Sequence, residues 1–199
     1  MRHSDRFVLV SQLVFGVDTT SAITLCALLG WAFGVHPTTT TGIAYLAIAG
    51  FANYFPDLDL LIYLPFQKRF GWESHWSVGH HPAIVLPLVG WATWVGANGV
   101  DPEHVAYLTT LVVMCTTMHF VRDSMDVHGM QWLSPFNRKL FIKLDRWQPR
   151  VISDRVFHEY QAKLKSGDES LVALSEPVTS NQFIGWLVAV GMFCLWVLL

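Results

Sequence analysis

Residues 75–81 read His-Trp-Ser-Val-Gly-His-His and residues 119–128 read His-Phe-Val-Arg-Asp-Ser-Met-Asp-Val-His, so five of the nine histidines fall in two short stretches. A third stretch, Phe55-Pro56-Asp57-Leu58-Asp59, places two carboxylates at the end of an apolar run. Imidazole and carboxylate are side chains that bind divalent metals. His119 and Asp123 are four residues apart, which on a helix puts them one turn apart on one face, able to share an ion or to hydrogen-bond each other. Pro56 biases its surroundings toward an extended or turn conformation, and in an extended segment Asp57 and Asp59 point to one side. His80 and His81 immediately precede Pro82, a residue favoured in the first turn of a helix. There the helix dipole opposes an imidazolium, and neutral imidazole is the form that binds metal. His75 joins this group only if 75–81 is a loop, which Gly79 permits. Asp126 and His128 follow, with Gly129 available to end the helix; they bind a second ion, act as a base or merely cap. One aspartate beside a proline is an ordinary cap, and one interfacial histidine is ordinarily a hydrogen-bonded structural residue. Two aspartates and three histidines so placed exceed what capping uses.

The elements that carry these residues are apolar. The 199-residue chain is 52% hydrophobic and 14% charged, with nine Trp and thirteen Phe, and its mean hydropathy is +0.38. That composition excludes an ordinary soluble enzyme and excludes disorder. A formal net charge of −2 gives no bias toward nucleic acid, and none is expected as a partner. Cys26, Cys115 and Cys194 each sit inside an apolar run without paired spacing, as buried small hydrophobes rather than disulfides or a zinc ribbon. The first apolar stretch lacks a small-residue cleavage site and contains Asp18, so no cleavable signal is expected.

Five stretches approach the length that crosses a bilayer, at approximately 19–35, 41–56, 82–99, 104–121 and 182–199. Residues 7–17 are apolar too and either extend the first span or lie on the membrane before it. Asp18, followed by Thr19 and Thr20, has the form of a helix N-cap and favours a break there. All thirteen Lys and Arg fall in three places: Arg2 and Arg6, Lys68 and Arg69, and nine between Arg122 and Lys165. The connections near 36–40 and 99–103 hold none. With five spans the basic segments share one side, which the positive-inside rule makes cytoplasmic, leaving the N-terminus inside. Asp57 and Asp59, then His75, His80 and His81, then His119 and Asp123, are thereby expected at one level of the membrane. Ionisable residues among membrane-grade sequence are a functional site by default.

The expected fold is therefore all-α: a polytopic membrane helical bundle of about five spans with a cytoplasmic amphipathic segment. Residues 1–135 form the membrane domain with the metal site, 136–180 the amphipathic helices, and 181–199 the last transmembrane helix. Over 136–150, Phe136, Leu140, Leu144 and Trp147 recur every three to four residues, with Arg138, Lys139, Lys143, Arg146 and Arg150 on the other faces. This predicts a basic amphipathic helix suited to anionic lipid, or else one packed on its own domain. A second short helix is expected from Ser153 or Asp154 to near Gly167.

The order Pro56-Asp57-Leu58-Asp59, His75-x4-His80, His119-x3-Asp123, Gly129 and Leu133-x-Pro135-Phe136 resembles the YdjM-type family of bacterial inner-membrane metal-dependent hydrolases. The family pattern looks like PD-[IL]-D, HRG-x-THS, H-x3-D-x-x-T and a downstream Pro-Phe or Trp-Pro, and the match covers roughly residues 15 to 136. The resemblance implies that Asp57, Asp59, His75, His80, His119 and Asp123 form the metal site. More loosely, it implies a helical metal-site design shared with zinc-dependent phospholipase C and related nucleases, which cleave phosphodiesters. The chain departs from the pattern where Trp76-Ser77 replaces Arg-Gly, where His81 replaces Ser, and where Asp126-Val127-His128 replaces a Thr-rich segment. The histidine near the start of the first span has no clear equivalent, and Asp18 stands nearest its place. Losing the arginine weakens any assignment of a phosphate-binding residue, while His81, Asp126 and His128 enrich the metal site.

The expected function is a membrane-bound metal-dependent hydrolase acting on a lipid or lipid-linked phosphoester at the cytoplasmic interface of the bacterial inner membrane. Its cofactor is one or two divalent ions, zinc first, with manganese or iron as alternatives. Asp59 or Asp126 would orient or deprotonate the attacking water, with His128 beside them. Two alternatives stand against it. A phosphatidic-acid-phosphatase-like site is echoed by Ser77-Val78-Gly79-His80, but residues 111–113 are Leu-Val-Val where that family needs an arginine. A non-enzymatic metal-binding or metal-transport protein would carry ionisable residues deep within several spans, whereas here they concentrate at one end.

Overall fold

The computed structural model describes residues 16–58, 79–125, 130, 132–133, 136, 141–145, 148–152 and 180–199. Its helices are α1 (Val17–Ala32), α2 (Thr39–Tyr54), α3 (Pro82–Val100), α4 (Val105–Met125) and α5 (Ser180–Leu198), with one-turn 3-10 helices at Phe55–Asp57 and Pro102–His104. The all-α bundle expected from hydropathy is present, and each helix begins and ends within a few residues of its apolar stretch. Segments α3, Pro102–Ser124 and α5 are long and apolar enough to cross a membrane. The two 16-residue helices, α1 and α2, are each about 24 Å long, shorter than a hydrocarbon core of about 30 Å.

Helix α4 is the centre. It packs against α1, α2 and α3, while α5 lies on α1 and touches α2. Its buried residues Val105, Leu108, Leu111, Val112, Cys115, Thr116, His119, Phe120 and Asp123 recur every three to four positions, the stripe of a helix that faces neighbours along its whole length. The stripe is apolar at its start and becomes polar in its last two turns. Small residues let the helices approach, as in membrane bundles generally: Ala22, Cys26, Ala27, Ala49 and Ala52 are all buried. Gly30 is the closest case, because a Cβ there would stand 2.2 Å from the Trp196 indole. Just beyond it α1 ends in a Schellman turn, with Gly34 at φ 65 and bonds from Gly34 N to Trp31 O and from Val35 N to Gly30 O. Trp196 Nε1 then donates to Val35 O at 2.7 Å, tying α5 to that turn.

The outer faces of α3 and α5 expose Ile84, Leu88, Trp91, Trp94, Val95, Ile184, Leu187, Val188 and Leu195. So large an apolar surface suits lipid contact and is foreign to a soluble monomer. Cys26 and Cys115 are buried as expected, but Cys194 is exposed, because it falls on the outward side of α5, where an apolar residue faces the membrane rather than the core.

Three local expectations are corrected. Asp18 is not the N-cap of α1: Gly16 holds that position and no side chain caps it, since the carboxylate is drawn to Arg122 on α4. Asp57 sits in a 3-10 turn that continues α2, and Leu58 is also right-handed helical, so of the two conformations expected there the turn is present and the extended segment is not; Pro56 fits the first turn of that short helix, where its missing N–H costs nothing. The amphipathic helix over 136–150 gives way to an antiparallel hairpin, with β1 (Phe141–Asp145) pairing β2 (Gln148–Ile152) from Phe141↔Ile152 to Asp145↔Gln148. Pro149 would break a helix interior, whereas a two-stranded ribbon accepts it at an unpaired edge. The helix expected from 153 to 167 and the placement of residues 7–15 lie outside the described residues.

Candidate metal centre

Four side chains from three pieces of chain meet where the polar end of the α4 stripe lies. The 3-10 turn after α2 presents Asp57, the residue two before α3 presents His80, and α4 presents His119 and Asp123 one turn apart. Asp57 Oδ1 is 3.6 Å from His80 Nε2 and 3.6 Å from His119 Nε2. Asp123 Oδ2 is 3.3 Å from His80 Nε2 and 3.2 Å from His119 Nε2. Asp57, His80 and His119 offer ligand atoms that all lie within 4.8 Å of one another. Donors arranged tetrahedrally at zinc's usual bond length of about 2.0–2.1 Å would be separated by about 3.3 Å, close to the four measured spacings.

His119 is fully buried, and neither of its ring nitrogens has a hydrogen-bond partner among the described residues. The nearby carboxylates are within ion-pair distance of Nε2 yet outside hydrogen-bonding geometry. A buried polar group left unsatisfied costs about 1–3 kcal/mol, so a wholly buried imidazole aimed between two carboxylates fits an ion better than it fits a core. His80 is also buried, which disfavours its charged form, but the Asp123 and Asp57 carboxylates outweigh burial and push its pKa up to about 9. A metal arriving there would displace that proton. Asp57, with its side chain 28% exposed, is the most accessible of the four.

An apolar collar supports the polar group. Phe120 stacks edge-on against both His80 and His119, and it packs with Val85 and Met130, with Trp132 alongside. Trp132 Nε1 donates to Ser124 Oγ at 2.8 Å. Thr116 Oγ1, three residues before His119, shares its hydrogen between Val112 O on its own helix at 2.9 Å and Ala52 O on α2 at 3.1 Å, linking the helix pair that carries Asp57 and His119.

Of the residues expected from sequence, Asp57, His80, His119 and Asp123 are brought together. His81 is the N-cap residue of α3 and is not in the group of converging ligand atoms. Asp59, His75, Asp126 and His128 lie outside the described residues. Two participants fall outside what the sequence suggested. Arg122 pairs with Asp18 on α1 and, through Nη2, with Asp123 Oδ1 at 3.4 Å. Asn53, fully buried, donates from Nδ2 to Asp18 O at 2.5 Å. The available signal was a single cation and a single amide, each set in an apolar run beside a suspected ligand.

A second histidine–aspartate group, also missed, occupies the opposite ends of α3 and α4. Tyr45 Oη donates to Asp101 Oδ2 at 2.5 Å and meets His104 Nδ1 at 3.0 Å, while His104 Nδ1 lies 2.9 Å from Asp101 Oδ1. Partial burial would raise the Asp101 pKa, but the Tyr45 and His104 hydrogen bonds outweigh it and hold the carboxyl below its ordinary value.

The fold and the site define a helical-bundle membrane protein with a buried His/Asp cluster at one end of the bundle. The chain belongs to the YdjM inner membrane protein family, whose model matches residues 17–199. Neither the curated proteins nor the solved structures give a match.

Proposed function

We propose that the protein is a metal-dependent hydrolase of the bacterial inner membrane, acting on a lipid or lipid-linked phosphoester. The observation that carries this reading is the fully buried His119, without hydrogen-bond partners among the described residues and 3.2–3.6 Å from two carboxylates. Asp57, His80, His119 and Asp123 would hold the ion, and their mixed nitrogen and oxygen donors favour zinc, with manganese or iron as alternatives. A divalent ion bound there supplies Lewis acidity and draws the pKa of water down to about 7. The chain's own residues do the rest. Phe120, Met130 and Val85 exclude water from the inner side of the imidazoles, and the α2–α4 bond through Thr116 holds Asp57 opposite Asp123. Asp57 is the most accessible of the four carboxylate and imidazole groups, so substrate would approach from its side. The bases expected from sequence, Asp59 and Asp126 with His128, belong to segments that adjoin Asp57 and Asp123.

The charge distribution supports a cytoplasmic location for this end, with the N-terminus inside, because the basic residues after Arg122 follow directly from the helix that carries His119. Anionic lipid headgroups at that surface would concentrate beside the site. The test is metal content of detergent-purified protein together with a phosphodiesterase screen. His119→Ala and Asp123→Ala should lose bound metal while remaining folded and monodisperse. Full metal content in both variants would overturn the proposal, and metal flux into proteoliposomes without hydrolysis would replace it by transport.

A further inference from the structure

The candidate metal site has an outer layer of residues that stand behind its converging ligand atoms. Asp123 uses its two oxygens differently: Oδ2 stands 3.3 Å and 3.2 Å from the two histidine Nε2 atoms, and Oδ1 lies 3.4 Å from Arg122 Nη2. The other arm of the same guanidinium, Nη1, pairs with Asp18 Oδ2 on α1. Asp18 is itself buried, and its backbone carbonyl accepts from the buried amide of Asn53 on α2. One planar fork therefore joins the first helix to a metal-facing carboxylate, with one arm on each acid.

We propose that Arg122 and Asp18 are positioning residues for the metal site: Arg122 occupies Oδ1 of Asp123 so that Oδ2 faces the ion, and Asp18 anchors Arg122. The inference rests on the metal-binding reading above. Three physical points support it. A carboxylate free to rotate can present either oxygen, or both, and a donor on one oxygen selects the other for ligation; partners of this kind commonly change metal affinity by about 10–100-fold. Guanidinium suits the task because its rigid fork can bind two carboxylates at once, which an ammonium point charge cannot. A lone cation beside the site would also repel a divalent ion, and Asp18 cancels that charge where it arises. Asp18 thus has a reason to be buried 104 positions away in sequence from its partner.

Charge and geometry must be separated in the test. Arg122→Gln alone would leave the Asp18 carboxylate uncompensated, and that charge attracts cations by itself. The informative variants keep the net charge: Arg122→Lys, and the double variant Asp18→Asn with Arg122→Gln. Zinc affinity of the full chain in detergent, measured by competition with a chromophoric chelator, should fall by about 10–100-fold in the double variant and by a smaller factor in Arg122→Lys. Cobalt-loaded protein should show an altered visible spectrum in the double variant, reporting a changed ligand arrangement that a purely structural role would not produce. Thermal unfolding in the presence of chelator shows whether each variant is folded; should the double variant not fold, Arg122→Lys decides alone. Zinc affinity within twofold of wild type and an unchanged cobalt spectrum in the folded variants would overturn the inference. Failure of the wild-type chain to bind zinc or cobalt at all would instead overturn the metal reading beneath it.

Discussion

The two ends of the bundle use the same residue types and leave them in opposite states. At one end, Tyr45, Asp101 and His104 satisfy one another: each acid oxygen has a partner at hydrogen-bond distance, and the ring Nδ1 is engaged. At the other, His119 lies buried between two carboxylates with no hydrogen bond to either nitrogen among the described residues. A closed network stabilises a turn, whereas a buried imidazole with neither nitrogen hydrogen-bonded among the described residues leaves its lone pair for something else. Histidine and aspartate content therefore does not identify a site; what identifies it is whether the polar atoms are already spent.

The largest expected difference between the ends is in metal content. His80→Ala should abolish stoichiometric binding, and His104→Ala should leave it unchanged; elemental analysis of both proteins decides, and equal loss would erase the distinction. Next comes stability. Metal present at about a thousand times its Kd would add roughly 4 kcal/mol, so chelation should lower the unfolding temperature of wild type and leave that of His119→Ala unaffected.

A pH titration sharpens the same contrast. His80 has its pKa raised from 6.5 to about 9 by Asp123 and Asp57 against the effect of burial. In the metal-free protein its charged form contributes stability that is complete below about 6.5 and lost as pH rises through about 9. Metal must displace that proton, so zinc affinity should climb about tenfold per pH unit up to about 9 and then level off. Isothermal titration in buffers of different ionisation heat would count the released proton, and a flat profile would contradict the assignment. The smallest effect belongs to Tyr45→Phe, which removes one hydroxyl from the closed network. It should cost about 0.5–1.5 kcal/mol by thermal unfolding and leave metal content intact.

Much of this was legible along the chain. The helix positions follow from runs of apolar residues, a one-dimensional property, so α3 begins at Pro82 and α5 occupies the last apolar stretch as expected. Asp57, His80, His119 and Asp123 were recognisable because ionisable groups are costly at the end of membrane-grade helices. The hairpin at 141–152 is not legible in the same way, because Phe136, Leu140 and Leu144 fit a helical period and only the backbone restriction of Pro149 speaks against a helix. His81 carries the same chemistry as His80, yet of the two only His80 belongs to the group of converging ligand atoms.

The amino-acid sequence by itself determined where the five apolar helices lie and that Asp57, His80, His119 and Asp123 stand at their ends. These follow from local hydropathy and charge, which need no knowledge of neighbours. Only the tertiary structure decided that neither His119 nitrogen has a hydrogen-bond partner among the described residues, that Asp101 and His104 close on Tyr45 56 and 59 positions away, and that Asp18 meets Arg122 across the bundle. Hydrogen-bond satisfaction depends on distances of a few tenths of an ångström between groups far apart in the chain, and packing around α4 sets those distances.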